Sequence, residues 1–404
     1  MTKADKEGQR KAPILRFKGF TDDWEQRQLQ NQVQFFSGLT YSPSDVKDVG
    51  TFVIRSSNIK DNTLISADNV YVNPNIANSE PVKKDDVIMV VRNGSKSLIG
   101  KHALVTRKID NTVIGAFMTG IRSSTPYFLD VLLDTINFKK EIYKNLGATI
   151  NQITIGNLRK MTFKVPNESE KFKIGNLFKK LNYLLALYER KTRLLSKLRT
   201  FLTQRLFSNS SKVSLYFDNK NWSKHKISEF LTERNEKVIP NPSIPLVSFT
   251  VEKGVTPKSK RYNREFLVKD DKKKYKITKK NDIVYNPANL KFGAIARNKF
   301  GNAAFSPIYV TFITKLNPVF TEFLVRRKDF IKLALKYQEG TVYERMAVKS
   351  KDFLSLKIYL PNSSRDINHI AQILQSLDTL VSLNKNKISL ITLIKKELLN
   401  TMFI

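Results

Sequence analysis

The chain repeats itself, and this duplication limits the folds open to it more than any other property. Phe20-Thr21-Asp22-Asp23-Trp24-Glu25 opens a segment that runs to Leu29, and Phe217-Asp218-Asn219-Lys220-Asn221-Trp222-Ser223 opens another that runs to Ile227. These hold the only two tryptophans in the sequence, 198 positions apart. Further landmarks keep step in the same order. Lys83-Lys84-Asp85-Asp86-Val87-Ile88 is answered by Lys279-Lys280-Asn281-Asp282-Ile283-Val284, and Ile99-Gly100 by Phe292-Gly293. Ala116-Phe117 is answered by Ala304-Phe305, Gly147-Ala148-Thr149 by Gly340-Thr341-Val342, and Val165-Pro166-Asn167 by Leu360-Pro361-Asn362. An ordered series with a slowly drifting offset is a duplication.

Each copy ends in a heptad pattern. Ile174, Leu181, Tyr188, Leu195 and Leu202 recur every seven residues in the first, and Ile370, Leu377, Asn384, Ile391 and Leu398 in the second. Apolar residues also occupy the +3 positions (Leu177, Leu184, Leu198; Ile373, Leu380, Ile394) and the +4 positions (Phe178, Leu185, Leu206; Leu374, Val381, Ile388). Such a seam predicts two long helices, each about 55 Å at ~1.5 Å per residue, paired antiparallel if the copies relate by a pseudo-twofold axis. Start signals stand at Asn167 or Ser169 after Pro166, and at Ser363 or Ser364 after Pro361. Asn384 would be a polar seam position that can fix register.

Between landmark and helix, each copy mixes short strand-like runs (Phe52-Val53-Ile54, Asp86 to Val91, Ala103-Leu104-Val105, Ile308 to Ile313) with helical ones (Phe128 to Leu146, Pro318 to Tyr337). The expected fold is α+β: two pseudo-twofold-related domains joined by two long antiparallel coiled-coil helices. The expected division is 1–167 for the first domain with its N-terminal arm, 168–208 for the central helix, 209–362 for the second domain, and 363–404 for the C-terminal helix.

Charge narrows the partner. The 404 residues include 70 Lys and Arg against 36 Asp and Glu, a formal net charge of +34. Such a field attracts polyanions, nucleic acid first and an anionic membrane surface second. Cysteine is absent, which excludes disulfides, thiol nucleophiles and Cys-based zinc sites. No run approaches the ~20 apolar residues of a membrane span, and Met1 to Lys11 lacks the apolar core of a secretory signal. A soluble, cytoplasmic protein is expected.

Catalytic motifs fail on inspection. Gly94-Ser95-Lys96-Ser97-Leu98-Ile99-Gly100-Lys101-His102 has one residue too many for a phosphate loop, and a histidine where Mg²⁺ needs Ser or Thr. Asn286-Pro287-Ala288-Asn289 lacks the second proline and the aromatic of an adenine methyltransferase motif. His102, His225 and His369 are isolated, so no metal site is expected. A non-catalytic binding protein follows, with no cofactor of its own.

The binding candidates are loops. Lys253 to Lys280 holds twelve Lys and Arg against three acids. Lys258, Lys260, Arg261 and Tyr262 within it combine phosphate-gripping charge with polar and aromatic character. In the first copy the candidates are Tyr41, Arg55, Ser56, Asn58, Arg92, Asn93, Ser95, Lys96 and Lys101. In the second they are Asn286, Asn289, Lys291 and Arg297, assigned to the loop that answers Arg92 to Lys101, together with Tyr343. Arg and Asn are the side chains that read base edges through paired hydrogen bonds.

Three stretches then resemble a known family. Pro13-Ile14-Leu15-Arg16-Phe17 with Phe20, Trp24-Glu25 and Leu29 is similar to the opening of the specificity subunits of Type I restriction–modification enzymes. Gly147, Ile153, Leu158, Val165-Pro166, Ile174, Phe178 and Leu181 resemble that family's passage from target domain into conserved helix, and Lys395 to Phe403 its usual ending. The sequence departs at Glu170-Lys171, where many relatives have Glu-Gln, and at Leu181-Asn182, where they have Leu-Asp, which Leu377-Asp378 keeps. The resemblance implies two target-recognition domains, each reading half of a bipartite DNA site. It implies two partner modification subunits that carry S-adenosylmethionine and methylate adenine, and ATP- and Mg²⁺-dependent restriction subunits where these are present. Two alternatives stand beside it: a coiled-coil scaffold for acidic partners or membranes, and a DNA-acting enzyme whose site the motifs above do not reveal.

Overall fold

In the computed structural model, residues 11–147, 151–207, 222–257, 274–339 and 346–404 are described. The chain divides into two compact units, Met1–Glu189 with Asn386–Ile404, and Arg190–Lys385. The two long helices, Glu168–Leu206 and Ser364–Thr401, each contribute one half to each unit.

In the first unit, strand Glu25–Gln28 pairs antiparallel with Thr162–Val165, bringing the start and end of the domain together. A four-stranded antiparallel sheet runs in the order Gln34–Ser37, Met118–Arg122, Val87–Val90, His102–Leu104. A second sheet contains Val46–Lys47, Val70–Val72, Thr51–Ile54 and Thr112–Ile114. Val87–Val90 is buried at every position: it lies within the first core, which also holds Ile54, Ile59 and Ile114, and helix Pro126–Asp134 packs against it.

The second unit repeats this order. Trp222–Lys226 pairs with Lys357–Pro361, and the four-stranded sheet runs Leu231–Glu233, Val310–Thr314, Ile283–Tyr285, Ile295–Arg297. Register makes the equivalence explicit: Ile88 faces Gly120 and Ala103, as Val284 faces Thr311 and Ala296. The repeated Lys-Lys-Asp/Asn-Asp motif has a structural cause. Asp85 and Asn281 hold left-handed turns with φ of 71° and 76°, which Asp and Asn tolerate best after glycine. Asp86 and Asp282 each accept the N–H of the first lysine at 2.7 Å and chelate one arginine with both oxygens, Arg122 and Arg234 respectively.

The seam residues are buried or half-buried in both helices. In the first unit Ile174, Phe178 and Leu181 share a core with Leu398, Leu399 and Phe403. In the second, Leu202, Leu206 and Phe207 share one with Ile367, Ile370 and Leu374, and Arg199 pairs with Asp378. Within each unit the paired segments run antiparallel. The +4 positions complete the seam, whereas Leu184, Leu198, Leu380 and Ile394 at +3 lie exposed. Asn384 is buried, and its amide donates to the Leu380 carbonyl at 2.8 Å. Asn167 caps the first long helix through the Glu170 N–H (2.9 Å), and Ser363 the second through the Asp366 N–H (3.4 Å).

Three local expectations need correction. The run Phe128 to Leu146 is two helices, Pro126–Asp134 and Ile136–Lys144, because Thr135 turns extended and its hydroxyl caps the second through the Phe138 N–H. The run Pro318 to Tyr337 likewise breaks into Pro318–Val325 and Lys328–Leu335 at the extended Arg327. Ala303–Phe305 answers Thr112–Ile114 in chain order, each being the strand before the last one of the four-stranded sheet's middle pair, so the counterpart of Phe117 is the loop before Val310. Part of the Gly147/Gly340 landmark lies outside the described residues.

His102 is a core residue. Its ring lies 3.2 Å from the Gly100 carbonyl and 3.1 Å from the Asp130 carbonyl. Asp130 beside it is buried, and one carboxylate oxygen has no hydrogen-bond partner. Burial pushes its carboxyl up to about 6, against the opposing pull of His102. The folded state therefore holds this proton where the unfolded chain, at ~4, has released it. The stabilisation this proton confers is complete below about pH 4 and lost as pH rises through about 6. Asp130→Asn, neutral throughout, should therefore gain on the order of 2–3 kcal/mol over the wild type at pH 7.5 and little at pH 4. Thermal melts across that range check it; an offset that does not change with pH would contradict it.

Candidate nucleic-acid interface

In both units the candidate loops leave the same end of the four-stranded sheet. The segment after strand Val87–Val90 forms one, and the segment after Ile283–Tyr285 forms the other.

In the first unit the structure joins two of the predicted loops. Asn93 donates its amide to the Ser56 hydroxyl at 3.1 Å and accepts the Ser95 N–H at 3.0 Å, an Asx turn that holds the tip open. Asn151, absent from the sequence-based candidates, fastens the loop from the other side: its amide donates to the Gly94 carbonyl at 2.9 Å and its carbonyl accepts the Asn93 N–H. Arg92, Ser95 and Lys96 are exposed. The Arg92 guanidinium lies 5.0 Å from the centre of the exposed Phe117 ring, and the Lys96 amine 5.9 Å from that of Tyr143. Lys101 is half-buried in the turn that leads back into the sheet.

Other candidates serve the fold. Asn58 is 1% exposed, donates to the Ala67 carbonyl at 2.7 Å and accepts the Arg55 N–H at 2.9 Å, closing the loop between them. Arg55 itself donates to the Asp68 carbonyl. Tyr41 packs against the small core of Leu39, Val53, Val72 and Val113. Buried amides bonded to backbone in this way are occupied, whatever their residue type suggests.

The second unit sorts similarly. Asn286 is buried and accepts the N–H groups of Ala288 and Asn289, capping the 3-10 helix Pro287–Phe292. Asn289 and Lys291 lie exposed on that short helix. The Lys291 amine stands 5.0 Å from the ring centre of exposed Phe292. Arg297 lies within the sheet strand, at the position of Leu104, and not in the loop. It donates to Glu322 at 3.1 Å and Asn281 at 2.8 Å. Lys258, Lys260, Arg261, Tyr262 and Tyr343 lie outside the described residues.

Among the described residues no three His, Asp or Glu side chains converge as metal ligands, and no helix is long and apolar enough to cross a membrane. Residues 21–196 match one protein family, described as the Type I restriction modification DNA specificity domain. This part of the chain, less than half of its 404 residues, is similar to that family. The fold of the whole chain has its own likeness. It is similar to the S subunit of a Type I restriction–modification system from M. genitalium, with a TM-score of 0.63, 15% identity, and coverage of 97% of this chain and 99% of the other. The HsdS subunit from Thermoanaerobacter tengcongensis is also similar, with a TM-score of 0.43 and 13% identity over 94% of this chain and 96% of that one. No curated protein matches the sequence.

The candidate loops separate by exposure into solvent-facing groups and groups that hold the loops. Arg92→Ala should weaken DNA binding and flatten the slope of log affinity against log salt by about 1, with the melting temperature unchanged. Asn58→Ala should instead cost about 1–3 kcal/mol of stability, because it strands buried backbone groups. Equal losses of stability in both variants would refute the division.

Proposed function

We propose that the chain recognises a bipartite double-stranded DNA sequence, one half-site by each unit, and brings partner subunits to it. The observation that carries this is the duplicated sheet with basic and amide side chains at the same end in both copies. A net charge of +34 supplies affinity for the phosphate backbone, and the exposed Arg, Asn and Lys side chains supply base-edge donors.

The partners are two modification subunits that methylate adenine, with S-adenosylmethionine bound by them and not by this chain. Restriction subunits, where present, would add ATP- and Mg²⁺-dependent cleavage. The outer faces of the long helices support docking. Besides the seam, they carry a second apolar stripe left in solvent: Leu184 and Leu187 with Leu390 and Ile394 in the first unit, and Leu194, Leu198 and Phe201 with Leu380 and Leu383 in the second. A chain with so strong a charge has little reason to leave aligned leucines in water unless another protein covers them.

Exchanging residues 30–150 for those of a relative should change the bases of one half-site and leave the other intact; sequencing methylated adenines reads both. A change in both half-sites would sink the two-reader arrangement. Leu187→Asp with Leu390→Asp should abolish co-elution with the modification subunits while DNA binding by the chain persists, measured by size exclusion and fluorescence anisotropy. Co-elution that survives both substitutions would show that the partners dock elsewhere.

A further inference from the structure

Each unit sets an exposed phenylalanine, with a cation over its ring, at the loop end of its four-stranded sheet. In the first, Phe117 is 54% exposed. Its carbonyl accepts the N–H groups of Val91 and Arg92 at 3.0 and 3.2 Å, so the ring is tied to the candidate loop by backbone. The Arg92 guanidinium sits above it. In the second, Phe292 is 65% exposed beneath the Lys291 amine. With Phe249, Tyr309 and Asn289 it lines an open cleft of about 400 Å³.

The two rings are not sequence counterparts. Phe292 lies in the loop that leaves the middle of the sheet, and Phe117 in the loop that returns to it. Both units nonetheless arrive at the same surface chemistry at the same end of the sheet. Neither ring belongs to a core cluster. A phenyl group offers no hydrogen bond, so it cannot read the donors and acceptors of a base edge. On the major-groove edge, the apolar feature a phenyl group can distinguish is the 5-methyl group of thymine. The cation above the ring suits a neighbouring phosphate.

We infer that Phe117 and Phe292 are specificity-determining residues, each contacting a thymine methyl group in the major groove of its own half-site. This rests on the recognition reading above and adds the base feature read.

The test uses the full chain with its modification subunits and the DNA sequence it selects from a random library. Each thymine in that sequence is replaced singly by deoxyuridine, which removes only the methyl group. Wild type should lose about fourfold in affinity at one position in each half-site, the amount expected for one buried methyl group. Phe117→Ala should bind thymine and deoxyuridine equally in the first half-site and keep the difference in the second. Phe292→Ala should do the converse, and Phe117→Leu should retain part of the preference. Wild type indifferent to every replacement, or a Phe117→Ala protein with an unaltered thymine preference, would overturn the inference. So would loss of modification subunits from Phe117→Ala with DNA preference intact, which would make the ring a protein contact. Failure to select any sequence would instead defeat the recognition reading itself; the deoxyuridine series on wild type needs no variant to fold.

Discussion

The core of each unit is closed by the far end of a long helix, and the remaining architecture depends on that closure. Phe207 follows the first long helix and Phe403 the second, 196 positions apart. Phe207 packs 5.2 Å from Phe320 in the second core. Phe403 packs 5.7 Å from Phe128 in the first, and 5.9 Å from Trp24. Phe128 and Phe320 occupy equivalent positions in the helix that follows the four-stranded sheet. The first unit thus includes chain from the very end of the sequence, and its domain helix, N-terminal tryptophan and C-terminal aromatic form one packed set. Aromatic burial of this kind contributes several kcal/mol per ring.

The same region shows how polar groups secure that packing. Glu170 is fully buried at the start of the central helix, a position that is costly without partners. Arg16 meets both its oxygens at 2.9 and 2.7 Å, and the Trp24 indole N–H donates to it at 3.2 Å. This bidentate pairing, which offsets the cost of desolvating both charges, holds the arm before the first strand against the helix. Lys171 beside it is buried too and donates to Gln32 and Glu168. The departure from the resembling family at Glu170-Lys171 therefore falls on contacts inside the unit, with Gln32 and Glu168 as partners.

Periodic features were legible in the sequence because each is enforced by many residues at once. The duplication, the two helices, and the strands around Val87 and Val310 all fall in this class, whereas each helix cap was legible only as a pair of alternatives. Features set by a single local competition were not. Nothing in composition says that Thr135 caps a new helix and so ends the preceding one, or that Arg327 breaks the run from Pro318. The choice between +3 and +4 seam positions depends on how the helices pack, and the apolar content of the two rows is nearly equal.

The candidate site was legible at the level of loops and not of side chains, for a definite reason. A sequence reveals that asparagine and arginine are present, but their hydrogen bonds go to whichever partner the backbone brings near. Asn58 and Asn286 spend theirs on buried backbone groups, and Arg297 on Glu322 and Asn281. Arg92 and Lys291 have an aromatic ring beside them instead. Phe117 and Phe292 escaped a search framed around charge and amides, since phenylalanine in a sequence reads as core. Only exposure separates a ring that stabilises the fold from one available to a partner. On a strongly basic surface, where phosphate affinity is plentiful and indifferent to sequence, apolar and amide groups are what remain to tell one base from another.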